Sequence, residues 1–431
     1  IQNKFSKTLF DNFDFSSNSY SKKIFSIINF FKYMFIYIFI FLFNFAHKKI
    51  NNKKNEKYTL LIDSIMSADQ IERYKKLINL YGKQNVLART TNKDVKLNDI
   101  NYIFYPNIFN YSLNRKDISK LLMFFIKNIQ YSYKIKINFF YLSCKILNEY
   151  FWYNNFFEKF TFKYIIMHQH YLSNSIKNFV FKKKGGYKTT IIQKNINSCN
   201  TNGFFYDADT LFTFSKKAAI DANNTSSKIN EIVESGSFFM ENFSSNLNKN
   251  KINYLDDNLK FDIICFGGNG LTPGNSYYDA YNQYASDYNQ HLDWLKKISL
   301  DYPKLKVGFK HHSNNKDSYE ENYLNNSNVK ILDKNLNSYA LGLKSNFICS
   351  WASTMVIEMT AYKKYCYFLD PGSRNNQFLS QIINSHNLRI KDYQEFQKKY
   401  EEAKSSDFKN NAEPFCVDSA HVSEKIYNNL S

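Results

Sequence analysis

The sequence predicts an α/β protein made of two successive doubly wound domains behind an N-terminal hydrophobic helix. Three observations lead there. Short apolar runs rich in Ile, Phe and Tyr alternate with stretches of helical period, as in parallel sheets covered on both faces. The series occurs twice, on either side of a polar stretch at 241–258. A chain of 431 residues is also longer than one ordinary core serves, so two domains are the default.

Residues 1–56 form a hydrophobic and basic segment that is expected to associate with a membrane. Its centre is "KKIFSIINFFKYMFIYIFIFLFNFAHKK", residues 22–49. The apolar core, Tyr33 to Ala46, is shorter than the ~18 residues of a spanning helix, and extending it to Ile24 takes in Asn29 and Lys32. Lysines flank both ends, and no small-residue cleavage site follows, which argues against a signal peptide. A surface or shallowly inserted helix, a true span and a buried helix all remain open. The chain begins at Ile1 rather than Met, and a start further upstream is left open.

The first domain is expected over 57–240. "YTLLIDS" (58–64) reads as a strand and "ADQIERYKKLINLYG" (68–82) as one amphipathic helix closed by Gly82. "NVLART" and "NYIFYP" read as strands, 116–160 as a long aromatic helical region, and "FKYIIMHQH", "YKTTIIQ" and "DTLFTFS" as further strands. "IVESGSF" (232–238) closes this half, and 241–258 reads as a linker. The second domain, 259–375, opens with strand "FDIICF" and a Gly-rich loop. Helix 288–303 follows, then strands "KVGFKHH", "VKILD" and "NFICSW", a helix, and strand "YCYFLD". Helices are expected over 376–431.

Composition narrows the function classes. The formal net charge is +19, which either reflects coding bias towards Lys, Asn, Ile, Phe and Tyr or suits an anionic partner. No RNP-like aromatic motif, zinc-finger spacing or basic arm is present, so nucleic acid is not expected as partner. The six cysteines are scattered without a CxxC pair, and Cys265, Cys349 and Cys366 lie in apolar runs, as expected of a reduced, cytosol-facing protein. No solenoid repeat is visible.

In open α/β sheets ligands gather at the carboxyl ends of strands. "FDIICF" delivers Gly267, Gly268 and Gly270, a loop that lets backbone amides approach a phosphate or sugar. "KVGF" delivers Lys310 and His312, a cation and an imidazole suited to a nucleotide phosphate, or else a solvated strand end. "NFICSW" delivers Ser353 and Thr354 at a helix start. Either hydroxyl caps the helix, but the residues three further on are Val356 and Ile357, so no capping box forms and Glu358 needs another reason. A helix start offers amides and a positive dipole end to an anion, and Glu358 is placed for ribose hydroxyls. In the first domain Asp63 ends the first strand as a candidate base. His168 and His170 share a strand-end face, with His170 taken as base or acceptor-binding residue against a structural role. Nothing completes a metal site with them, and Asp207-Ala208-Asp209 precedes its strand and reads as a turn, so no metal and no cofactor are expected.

Together, "KxH" after one strand and "ST…E" opening a helix two strands later resemble the GT-B glycosyltransferases of bacterial surface and capsular polysaccharide synthesis. The chain is most similar there to capsule Kdo transferases, sialyl- and polysialyltransferases and polyol-phosphate transferases. Lys310, His312, Ser353, Thr354 and Glu358 match that pattern; Ser313 stands where the family has Pro, and Gln193-Lys194-Asn195 where it often has Gln-His-Gly. The resemblance implies a GT-B-like pair of Rossmann-like domains, with the acceptor on the first and the donor nucleotide on the second. It implies metal-independent transfer from a nucleotide-sugar donor, CMP-sugar favoured, to a glycan or lipid-linked acceptor. The basic N-terminus implies an anionic membrane surface as partner, at the cytoplasmic face of the inner membrane. Transfer of a polyol phosphate from a CDP-activated donor, nucleotide-sugar epimerisation and a catalytically silent membrane-associated glycan- or partner-binding protein are the alternatives.

Overall fold

The computed structural model describes residues 31–32, 34–44, 55–97, 100–105, 113, 115–135, 139–167, 173–195, 206–223, 227–243, 259–268, 282–312, 319–371, 388–405 and 415–431. The chain divides into two compact units. One holds Ile1–Ile71, Tyr81–His168 and Asn174–Thr189, the other Glu72–Leu80, Gln169–Ser173 and Thr190–Ser431.

There are two parallel sheets. The first comprises β1 (Glu56–Ile65), β2 (Val86–Thr90), β3 (Asn101–Phe104), β4 (Phe160–Met167), β5 (Lys188–Ile192), β6 (Asp207–Thr213) and β7 (Lys228–Glu234). Their order is β3-β2-β1-β4-β5-β6-β7, so the winding reverses between β1 and β4. Leu60, Leu61 and Ile62 of β1 and Ile165 and Ile166 of β4 are buried, which is why both read as unbroken apolar runs.

The second sheet comprises β8 (Ile263–Phe266), β9 (Val307–Lys310), β10 (Val329–Leu332), β11 (Phe347–Ser350), β12 (Tyr365–Leu369) and β13 (Arg389–Ile390), in the order β10-β9-β8-β11-β12-β13. All its pairings are parallel. Successive residues go to opposite faces. Ile263 and Cys265 join Phe309, Cys349 and the helix Asn282–Asp301 through Tyr288, Leu292, Leu295 and Ile298. Ile264 and Phe266 join Ile348, Phe368, Leu341 and Val356 on the other face. Each such buried aliphatic side chain contributes about 1.5–3 kcal/mol. The sheet reverses its winding between β8 and β11, and there the carboxyl ends of adjacent strands diverge into a crevice.

Several expectations change. The helix expected over 68–82 is broken: Ala68–Glu72 and Lys75–Tyr81 are separate, with a turn at Arg73–Tyr74. Tyr74 is fully buried there, its ring 4.6 Å from that of Phe238. The region 116–160 is two helices, Arg115–Ile135 and Phe139–Lys159. Asp207-Ala208-Asp209 is no turn but the start of β6, paired with β7. The C-terminal region adds strand β13 before the helices Tyr393–Ser405 and Val422–Leu430. Of the hydrophobic segment, residues 34–44 are helical, and among the described residues no helix is long and apolar enough to cross a membrane. Cys144, Cys265, Cys349, Cys366 and Cys416 are buried free thiols. His168, His170, Cys199 and Gly270 lie outside the described residues.

Candidate functional site

A cavity of about 370 Å³ opens at the carboxyl ends of β8, β9 and β11, within the second unit. Its size is ordinary for a small-molecule site (about 300–1,000 Å³). Each strand delivers part of the wall: Gly267 and Gly268 after β8, His312 after β9, and Ala352 to Met355 after β11. Glu358, Tyr339, Phe239, Arg73, Lys194 and Asn195 complete it.

The β11 exit answers how an apolar strand turns into a helix at Ser353-Thr354. Ser350 makes the turn: its Oγ donates to the Phe266 carbonyl at 2.6 Å and accepts from the N–H of Ser353 at 3.1 Å and of Ala352 at 3.3 Å. Ser353 Oγ then accepts from the Met355 N–H at 3.3 Å. Thr354 is the N-cap residue by position, but its side chain makes no capping hydrogen bond. The helix is shorter than the sequence suggests. One α-turn, Met355–Glu358, passes into a 3₁₀ turn, Met359–Tyr362, ended by Lys363 in the left-handed region (φ 54°).

Glu358 is buried, and its Oε1 accepts from the hydroxyls of Ser237 and, at 3.4 Å, Tyr339. Burial pushes its carboxyl up to about 7; Ser237, Tyr339 and the charge of Arg73 oppose that shift without cancelling it. The cations are strained in the opposite sense. Burial, then the charge of Arg73, holds the Lys194 ammonium below its ordinary value. Burial, then Lys310, does the same for His312. The broken helix at Arg73–Tyr74 brings Arg73 to the wall, its guanidinium 4.6 Å from the centroid of Phe239. Gln193 fixes the Lys194 loop, its Oε1 accepting from the Thr213 hydroxyl at 2.6 Å and the Phe214 N–H at 3.1 Å.

No protein-family model matches the chain, and no curated protein matches it by sequence. Solved structures do resemble it at low identity. UDP-GlcNAc 2-epimerase from Neisseria meningitidis bound to UDP-GlcNAc is 10% identical, with 87% of this chain and 99% of that one covered and a TM-score of 0.47. The Methanocaldococcus jannaschii UDP-GlcNAc 2-epimerase in complex with UDP-GlcNAc and UDP is 13% identical over 87% and 99%, TM-score 0.47. The wall teichoic acid polymerase TagF is 12% identical over 94% and 97%, TM-score 0.43.

The remaining sequence candidates fall elsewhere or behave differently. Lys310 is buried and does not line the cavity; its ammonium donates to the Lys334 carbonyl at 3.1 Å. The amides of Gly267 and Gly268 are engaged within the protein, donating to the Lys310 carbonyl at 2.9 Å and the Tyr288 hydroxyl at 3.1 Å. These glycines therefore shape the wall by their lack of side chains. A Cβ on Gly267 would stand 3.1 Å from Glu320 Oε1. Glu320 itself is buried, accepts from Tyr288, and lies 2.5 Å from His311 Nδ1. Asp63 is fully buried near the end of β1 and holds two cations: Arg89 through Nε, and Lys177 at 2.6 Å. These charges outweigh its burial and hold its carboxyl well below the usual carboxylate range, which makes it an unsuitable base. Arg73, Lys194 and Ser350 were missed. For Lys194 a signal existed, since it occupies the middle of the Gln-Lys-Asn that replaces Gln-His-Gly.

Proposed function

We propose that this chain is a glycosyltransferase whose second unit binds the phosphate and sugar of a nucleotide-activated donor, CMP-sugar favoured, and transfers the sugar to a glycan or lipid-linked acceptor. One observation carries the reading. Three basic side chains, Arg73, Lys194 and His312, converge with one buried carboxyl that holds its proton to about pH 7, in a cavity at the switch point of a doubly wound sheet. Such a wall disfavours cations and suits a phosphate. An incoming anion relieves the crowding of Arg73 and Lys194 and favours the charged form of His312.

In this reading Arg73, Lys194 and His312 stabilise the negative charge that develops on the leaving nucleotide phosphate. Glu358, near the midpoint of its titration at neutral pH, donates to or accepts from donor hydroxyls. The hydroxyls of Ser353 and Thr354 add polar contacts at the same wall. Gly267 and Gly268 admit the ligand, and Lys310 supports the β9 exit from behind. Asp63 takes no part in proton transfer.

Calorimetric titration of the full chain with CMP, CDP, UDP and GDP, with and without magnesium, tests the site. One nucleotide is expected to bind without magnesium. Arg73→Ala, Lys194→Ala and His312→Ala are each expected to weaken it by about 10- to 100-fold, the equivalent of a charged hydrogen bond. Folded protein that binds none of the four would overturn the assignment. Turnover of a nucleotide sugar with no acceptor present would replace transfer by epimerisation.

A further inference from the structure

The helix at 34–44 presents an unusual surface. Its inner face is packed in the first unit: Tyr37, Phe41 and Asn44 are buried, and the Phe41 ring lies 5.5 Å from Phe125 and 6.3 Å from Phe151, on the two long helices. Its outer face is apolar too. Phe35, Phe39, Leu42 and Phe43 are all exposed, Phe39 at 69%, with Phe39 and Phe43 stacked one turn apart. A helix that is hydrophobic all round is normally covered on all sides. Ile126 and Ile146 on the long helices are exposed as well.

The charge around this patch selects the cover. Lys22, Lys23, Lys32, Lys48 and Lys49 bracket the segment in sequence. The two long helices, Arg115–Ile135 and Phe139–Lys159, carry seven Lys or Arg against three acidic residues. A second copy would bring one lysine-rich segment to another, whereas an anionic bilayer offers apolar depth beside negative headgroups. Among the described residues no helix is long and apolar enough to cross a membrane, and a helix packed inward through Tyr37, Phe41 and Asn44 with an apolar outer face suits a seat along the interface.

We infer that the outer face of helix 34–44, with Phe35, Phe39, Leu42 and Phe43, seats the first unit on an anionic membrane surface. The inference does not depend on the donor site. Its test is flotation of the full chain with vesicles of phosphatidylcholine alone or with phosphatidylglycerol added. The protein is expected to float with the anionic vesicles only, and to release as salt is raised. The triple variant Phe35→Ser, Phe39→Ser, Leu42→Ser changes only exposed side chains. It is expected to lose at least about tenfold in binding, 1.4 kcal/mol or more, with unchanged circular dichroism and thermal midpoint. Its nucleotide affinity stays at the wild-type value, so a failed membrane face and a failed donor site give different results. Wild type that ignores anionic vesicles, or a triple variant that floats as well as wild type, would overturn the inference. So would a wild-type dimer that the triple variant converts to monomer, because a second copy would then be the cover.

Discussion

Glu358 keeps its proton to about pH 7 because burial withholds the water that would solvate its charge, and the hydroxyl of Ser237 offsets this only in part. The folded protein binds a proton between the ordinary carboxylate range and pH 7 that the unfolded chain does not, so this group's contribution to stability is present at low pH and declines as pH rises through that window. On the proposed function, a phosphate beside Glu358 would raise its affinity for the proton further and charge His312, so nucleotide binding would take up protons. Nucleotide affinity is therefore expected to fall by up to about tenfold per pH unit above 7 for each linked proton. Calorimetry in buffers of different ionisation enthalpy measures that uptake. Glu358→Gln, neutral at every pH, should flatten the profile and bind as well as wild type or better at pH 8. Ser237→Ala removes a hydrogen bond that favours the carboxylate, so its midpoint should move upward. An unchanged profile in Glu358→Gln would show that the carboxyl does not titrate with binding.

At the scale of elements, the end of β1 shows how a strand-end carboxylate becomes structural. Asp63 is closed in by Arg89 from β2 and by Lys177 from the helix Ser175–Lys183, and Arg89 also lies 5.2 Å over Trp152 and donates to Ser64 Oγ at 3.1 Å. Asp63→Ala leaves two buried cations without their carboxylate and is expected to cost about 3–5 kcal/mol, read as faster hydrogen exchange across β1, β2 and β4. Because the folded carboxyl sits well below its unfolded value, its stabilisation is present above the usual carboxylate range and is lost as pH falls below it. Asp63→Asn should therefore lack that part of the acid sensitivity. Equal exchange in wild type and Asp63→Ala would refute the structural role. Sequence revealed a carboxylate near the end of β1, but its partners come from 26 and 114 residues away, which no local pattern encodes. Most strands were legible for the opposite reason: burial on both faces leaves a contiguous apolar run, as in Ile263–Phe266. The cavity wall was half legible. His312, Ser353, Thr354 and Glu358 follow their strands directly, whereas Arg73 arrives through a helix break that an unbroken amphipathic period conceals. Lys310 is not among the residues that line this cavity, because its position at the strand exit says nothing about which carbonyl its long side chain reaches.

At the scale of the whole molecule, the last residues of the chain return to support the cavity wall within the second unit. Val417 donates its N–H to the Phe214 carbonyl at 2.9 Å, and Ser419 Oγ accepts the Ser237 N–H at 2.9 Å. Glu241 accepts from the Ser423 N–H at 2.8 Å and from Lys76 at 3.2 Å, which ties the C-terminal helix to the start of the stretch read as a linker. Ser237, so held, donates to Glu358. The return depends on Gly236. Its φ of +90° suits glycine, and a Cβ there would stand 2.8 Å from the Val417 carbonyl oxygen and 2.9 Å from that of Asp418, both backbone atoms with little room to yield. Gly236→Ala therefore meets left-handed strain and a clash at once, and is expected to destabilise the second unit by about 1–3 kcal/mol. The informative readout is local. If the C-terminal return positions Ser237, Gly236→Ala should move the pH midpoint of nucleotide binding in the same direction as Ser237→Ala, without touching any residue of the cavity wall. A variant that loses stability but keeps the wild-type pH profile would separate the two, leaving the C-terminal segment as a clamp on the fold with no hand in the chemistry of Glu358.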